Sequence, residues 1–285
     1  MNNNSHYGAI IGDIFGSYFE AKEMFEKEKA LLVPYEERTS VLKVKNINSL
    51  LTEESSLTDD SVLTLALMDA TLTDFNYEEK IKQYAIKESE LGIDIYGRSR
   101  FAPRFMQWAN GNAEGNSWGN GCAMRISPIG YAFSTLEQTL TEAEKATKCS
   151  HNHEDSIKCA KAVAGAIFLA RNNNSKEEIK VFVEQTLQME CNHNLDFLSH
   201  NYIFTSKATN SVPQALSCFF QTNSFEDCLK TTISIGGDVD TNCAISCAIA
   251  GAFYGICDTI VNETKKYISE DYQKIINLFG EKYVK

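Results

Sequence analysis

Apolar residues along this chain recur mostly every three or four positions, and few stretches alternate apolar and polar over strand length, so the pattern predicts helices. Two runs are apolar nearly all round, which marks buried central helices rather than surface ones. They are Val62-Leu63-Thr64-Leu65-Ala66-Leu67-Met68 and residues 244–254. Each lies behind a pair of carboxylates: Thr58-Asp59-Asp60-Ser61 opens the first, and Gly236-Gly237-Asp238-Val239-Asp240-Thr241 the second. Charged groups are rarely buried without a partner, so each mouth either opens to water or holds something positive.

The other elements are more ordinary. Residues 7–19 carry Gly8, Gly12 and Gly16 at a spacing of four, on one helix face. Each glycine costs a helix interior about 1 kcal/mol, so three on one face predict close backbone packing. Asn76 with Glu79 starts a helix to Glu88, and Ser134 with Glu137 starts one to Cys149. Residues 155–171 present Ile157, Ala160, Ala164, Ile167 and Phe168 on one face. Ser175 with Glu178 and Ser224 with Asp227 start two more, the second stopped by Gly236-Gly237. Residues 263–279 form a final amphipathic helix. Residues 21–57 lack periodicity and read as a surface excursion, while the Gly- and Asn-rich residues 110–121 read as a shaped loop around a buried Trp118. The expected architecture is all-α: a compact, single-domain orthogonal helical bundle spanning residues 1–285, with a binuclear metal site at a central cleft.

Composition narrows the functional classes. The chain has 285 residues, 43% of them apolar, enough for one sizeable core. A net charge of −11 argues against a general nucleic-acid or anionic-membrane binder. A local basic patch at Arg98, Arg100 and Arg104 leaves a nucleic-acid acceptor open. Nine cysteines without a C-x-x-C pair read as core thiols, not as the disulfide framework of a small secreted domain. No apolar run reaches the ~20 residues that span a bilayer, and the first residues lack a signal pattern, so a cytoplasmic protein without membrane partners is expected.

The two mouths together offer Thr58, Asp59, Asp60, Asp238, Asp240 and Thr241, all oxygen donors, which favour Mg²⁺, Mn²⁺ or Ca²⁺ over Zn²⁺. Each pair of like charges about 4 Å apart costs roughly 4 kcal/mol at an effective dielectric near 20. Two divalent ions would cancel four carboxylates. Helix capping is the competing reading, since Thr and Asp are favoured N-caps and acids suit a helix N-terminus. A cap needs one acid, however, and each mouth has two. The 110–121 loop offers backbone N–H groups to a phosphate, and Trp118, Tyr96 or Phe101 a stacking face to a base or ribose. His151 and His153 follow a helix end, where a solvated histidine is the plain reading.

Five segments carry a family resemblance: Gly12-Asp13-Ile14-Phe15-Gly16-Ser17, Thr58-Asp59-Asp60-Ser61, Ser117-Trp118-Gly119-Asn120-Gly121-Cys122-Ala123-Met124-Arg125, Ser150-His151-Asn152-His153 and Gly236-Gly237-Asp238-Val239-Asp240-Thr241. In this order, from about residue 8 to about 255, the chain resembles the ADP-ribosylglycohydrolases, the dinitrogenase-reductase-activating and ADP-ribosyl-acceptor hydrolase group. The resemblance implies two Mg²⁺ (or Mn²⁺) ions held by Thr58, Asp59, Asp60, Asp238, Asp240 and Thr241 at the base of an ADP-ribose cleft. It implies hydrolysis of the bond between ADP-ribose and an acceptor on a protein or small molecule, with Asp59, Asp60 and Glu20 handling protons and developing charge. Ser117, Gly119 and Asn120 would meet the diphosphate side of the substrate, with Trp118, His151, Tyr96 and Gly97 as further substrate-binding residues of the cleft. Ser61, Val239, Trp118 and Gly97-Arg98-Ser99-Arg100 depart from the family pattern without removing a ligand. A catalytically silent ADP-ribose binder and a dinuclear-metal nucleotide phosphohydrolase are the alternatives.

Overall fold

The structure, a computed structural model, describes residues 4–28, 35–91 and 99–284, with side chains at all of these but 21–28. In chain order the helices are α1 (Gly8–Glu28), α2 (Tyr35–Ser40), α3 (Asp59–Leu72), α4 (Tyr77–Ser89), α5 (Pro103–Ala109), α6 (Gly121–Met124), α7 (Ser127–Ala132) and α8 (Leu136–Lys148). They continue with α9 (Glu154–Arg171), α10 (Lys176–Leu187), α11 (Leu195–Asn201), α12 (Val212–Phe220), α13 (Phe225–Ile235), α14 (Val239–Tyr254), α15 (Asp258–Thr264) and α16 (Glu270–Tyr283). Among the described residues the only β pairing is two isolated bridges, so the fold is all-α as expected.

The two all-round apolar helices are central. α3 is buried without a break from Asp60 to Met68, and α14 from Val239 to Ala252. The glycine face of α1 lies directly on the α14 backbone. A Cβ added at Gly8 would meet the Cys247 carbonyl oxygen at 2.3 Å, and one at Gly12 the Cys243 carbonyl oxygen at 2.2 Å. One at Gly16 would lie 2.6 Å from Asp240 Cα. No real side chain fits there, so the three glycines set how deeply α1 seats on α14.

Three of the four cap residues expected from the sequence are in place. Asn76 caps α4, Ser224 caps α13, and Ser175 with Glu178 closes a full capping box on α10. Three expectations need correction. α1 continues to Glu28, so the first part of the expected excursion is helical; residues 35–50 add α2 and two 3-10 turns. Thr135, not Ser134, accepts the Gln138 N–H and starts α8. The final amphipathic stretch is two helices, because Ser269 caps a fresh start at Glu270.

All nine cysteines are free thiols, and all but Cys149 and Cys257 are buried. No helix among the described residues is long and apolar enough to cross a membrane.

Candidate metal centre and cleft

The N-terminal ends of α3 and α14 meet α1 at the floor of a cleft of about 860 Å³. Their carboxylates form two overlapping groups, Asp13 with Asp60 and Asp240, and Glu20 with Asp238 and Asp240. Within each group the oxygens lie within 4.8 Å of one another. Asp240 belongs to both.

Each helix entry is built differently. At α3, Thr58 is the N-cap, accepting the Asp60 N–H at 3.3 Å. The Asp13 carboxylate, reaching across from α1, accepts the Thr58 N–H at 3.0 Å, the Ser61 N–H at 3.1 Å and the Thr58 hydroxyl at 2.7 Å. The capping reading of the first mouth is therefore correct, and it coexists with the cluster: the Thr58 hydroxyl directs its one O–H to Asp13, and Asp60 Oδ2 accepts the Thr241 hydroxyl at 3.3 Å. At α14, Asp238 holds the N-cap position but makes no capping bond. Its Oδ2 instead accepts from Asn120 Nδ2 at 2.7 Å.

The turn that delivers Asp238 depends on Gly236 and Gly237, with φ of 77° and 79°. Both are also closely covered: a Cβ at Gly236 would touch the Arg38 guanidinium, and one at Gly237 would lie 2.4 Å from the Tyr202 ring. Arg38 is anchored in turn by Nη2 donating to the Ser199 carbonyl at 2.9 Å.

Burial and crowding raise the pKa values of these acids. Burial and then Asp240 push Asp13 up to about 6, although bonds from Ser61 and Thr58 pull it back. Burial, Asp240 and Asp13 push Asp59 up to about 7, against the pull of Arg100. Asp59 keeps some surface on the cleft side, so repulsion from its neighbours is the firmer of those causes. Asp60 and Asp238 lie well above the usual carboxylate range, through burial and then Asp240.

A hard divalent cation fits this arrangement. The donors are carboxylate and hydroxyl oxygens throughout. Asp60 Oδ1 is buried with no hydrogen-bond donor from the protein, an oxygen that a cation would satisfy. Asp60, Asp238 and Asp240 of the expected set stand in the two groups, with the Thr241 hydroxyl donating to Asp60 and the Thr58 hydroxyl to Asp13. Asp59 belongs to neither group, while Asp13 and Glu20 do. The expected balance of four charges against two ions is thus corrected: six carboxylates gather here. The missed ligand candidate, Asp13, had a signal. It is a lone acid inside the apolar run Ala9-Ile10-Ile11-Gly12-Asp13-Ile14-Phe15, next to a packing glycine.

The cleft wall is formed by the 115–121 loop and residues 149–152. They are tied by a bridge between Asn116 and His151 and by Ser117 N–H donating to the Ser150 carbonyl at 3.2 Å. Ser117, Gly119, Asn120 and His151 line the cleft. Asn120, expected at the diphosphate, spends its amide on Asp238 and on Ser211 Oγ at 3.1 Å. The expected burial of Trp118 is wrong: it is 49% exposed and is absent from the cleft lining. The backbone there is extended and bridged at 116 and 119, and alternate side chains of such a segment face opposite ways. Phe101 lines the cleft but is 1% exposed, with its ring stacked on Phe105. His153 is the N-cap of α9, accepting the Asp155 N–H at 3.2 Å. Tyr96, Gly97 and Arg98 lie outside the described residues. The rest of the basic patch is engaged internally: Arg100 on the Leu57 carbonyl and beside Glu88, Arg104 on Asn116.

Known proteins resemble this chain. ADP-ribosylhydrolase ARH3 of Bos taurus is 26% identical, with 87% of this chain and 83% of that protein covered. ADP-ribosylarginine hydrolase Tri1 of Pseudomonas putida (strain GB-1) is 24% identical over 70% of this chain and 59% of its own length. A solved structure described as an ADP-ribosylglycohydrolase-related protein complex matches with a TM-score of 0.68 at 17% identity, covering 98% of both chains. That likeness concerns the fold. The family model for ADP-ribosylglycohydrolase matches residues 4–279, from the helix that carries Asp13 to the last helix, and on that match the chain belongs to the ADP-ribosylglycohydrolase family.

Proposed function

We propose that the protein is a hydrolase of the glycosidic bond between ADP-ribose and an acceptor, dependent on two Mg²⁺ or Mn²⁺ ions. The observation that carries this reading is the pair of carboxylate groups joined through Asp240 at the floor of the cleft, with Asp60 Oδ1 lacking a partner. Asp13, Asp60 and Asp240 would hold one ion, and Glu20, Asp238 and Asp240 the other, with Thr58 supporting Asp13 and Thr241 supporting Asp60. The ions would supply charge to orient substrate hydroxyls and lower the pKa of a bound water.

The chain's own residues do the rest. Asp59 lies outside both groups and opens to the cleft, which suits it to take the proton of the attacking water. The crowd of carboxylates stabilises the positive, oxocarbenium-like sugar of the transition state. Asn120 holds Asp238 in place, and Asp13 locks the start of α3. Ser117, Gly119 and His151 form the wall toward the diphosphate. The relatives' names include an ADP-ribosylarginine hydrolase, so an arginine-linked substrate is the first to try.

The test is turnover of arginine-, serine- and nucleic-acid-linked ADP-ribose with Mg²⁺ or Mn²⁺. Release of intact ADP-ribose is expected. Tight ADP-ribose binding without turnover would leave a silent binder, and AMP with ribose phosphate as products would point to phosphate chemistry; either sinks the hydrolase reading.

A further inference from the structure

Arg125 has no exposed surface, yet it lines the inner wall of the cleft. Its Nη2 donates to Ser150 Oγ at 2.7 Å, and Ser150 Oγ lies 2.8 Å from His151 Nδ1. The direction of this chain follows from the chemistry of its members. A guanidinium has donors only and stays protonated in proteins. The Ser150 oxygen therefore accepts from Arg125, which leaves its single O–H available to His151 Nδ1, 2.8 Å away. With Nδ1 as the acceptor, the imidazole proton sits on Nε2.

That Nε2 faces the loop. A Cβ built on Gly121 would lie 3.1 Å from it, and one on Gly119 3.8 Å. The two glycines leave open the space into which the N–H points. The imidazole is also kept neutral, its pKa held well below the usual histidine range by burial and by the Arg125 charge. Register is fixed on both sides of the ring. Asn152 N–H donates to the Gly115 carbonyl at 2.8 Å, and a Cβ at Gly115 would lie 2.0 Å from the Cys149 carbonyl oxygen.

We propose that Ser150 is a positioning residue: it relays the Arg125 donor to His151 and fixes the Nε2–H tautomer, so that His151 offers a neutral hydrogen-bond donor to a phosphate or ribose oxygen held at residues 117–121. The identity of that ligand rests on the hydrolase reading; the tautomer does not. A hydroxyl at 150 is what the relay requires, so a threonine serves and an alanine fails.

The experiment is long-range ¹⁵N–¹H correlation NMR of the full-length, ¹⁵N-histidine-labelled protein in Mg²⁺, with His151 assigned by a His151→Asn variant. ADP-ribose affinity is measured by calorimetry alongside it. The wild type should show one acceptor-type Nδ1 and one protonated Nε2 at His151. Ser150→Ala should give a mixture of tautomers and weaken ADP-ribose binding about ten- to a hundredfold, with kcat nearly unchanged, as expected for one lost hydrogen bond to a charged group. Ser150→Thr should restore both. A wild-type His151 protonated on Nδ1, or Ser150→Ala keeping the single Nε2–H form, overturns the proposal. The wild-type spectrum decides the tautomer even if Ser150→Ala fails to fold. The expected tautomer in a protein that binds no ADP-ribose would sink the hydrolase reading and leave the relay intact.

Discussion

At the scale of single residues, Asp13 and Asp60 stand side by side but are held for different reasons. Asp13 accepts three hydrogen bonds from Thr58 and Ser61, so it ties α1 to the start of α3 whether or not a cation is bound. Asp60 has one oxygen with no partner and several acids around it, so without a cation its charge works against the fold. The two asparagine variants should therefore move stability in opposite directions in EDTA. Asp60→Asn should stabilise the metal-free protein by about 1–2 kcal/mol, because a repelled, desolvated charge is removed. Asp13→Asn should destabilise it by about 1–3 kcal/mol, because an amide cannot accept at both atoms. Urea unfolding in EDTA reads both. Turnover should fall more than about a hundredfold in each, since each removes a carboxylate from the group that would hold an ion. Destabilisation by Asp60→Asn in EDTA would show that its charge is already balanced without metal.

At the scale of elements, the site depends on how closely α1 seats on α14. The glycine face was legible in the sequence because a spacing of four on a helix leaves one geometric reading. The two buried helices were legible for a similar reason: behind their acidic mouths they are apolar nearly all round. What the pattern left hidden was the partner of that glycine face, and with it the role of Asp13, because spacing reports a face and not what covers it. Trp118 went wrong through the same gap. Its apolar bulk suggests burial, but the extended backbone of a bridged loop turns it outward. The seating makes a direct prediction. Gly12→Ala would place a methyl 2.2 Å from the Cys243 carbonyl oxygen, so α1 must lift off α14. The expected cost is about 1–3 kcal/mol by urea unfolding, as for other overpacked cores. Mn²⁺ affinity by calorimetry should fall with it, because Asp13 moves away from Asp240. Lost stability with unchanged Mn²⁺ affinity would show that the cluster does not depend on this seating.

For the whole molecule, a core of largely apolar helices ends at one face in six carboxylates, and its stability should be governed by what neutralises them. Asp13 is raised to about 6 and Asp59 to about 7, against roughly 3.9 for an aspartate in an unfolded chain. The folded state therefore binds more protons than the unfolded state between these values. The stability tied to those protons is fully present below pH about 4 and is lost as pH rises through about 6 and 7. For the fully buried Asp13 alone, a difference of about two pKa values corresponds to roughly 3 kcal/mol. In EDTA the Tm should thus fall between pH 5 and pH 8. A divalent ion competes with the same protons, so it should bind the deprotonated cluster and do little at pH 5. At a hundredfold excess over its Kd, it would return about 2.7 kcal/mol at pH 8. Melting curves at pH 5, 6.5 and 8, with EDTA, Mg²⁺ or Mn²⁺, should accordingly diverge as the pH rises, with the metal-loaded curves the flatter. Asp60→Asn should shrink that divergence by removing one of the competing sites. Parallel curves at every pH, with and without metal, would mean that the carboxylates are satisfied within the protein and that no cation belongs among them.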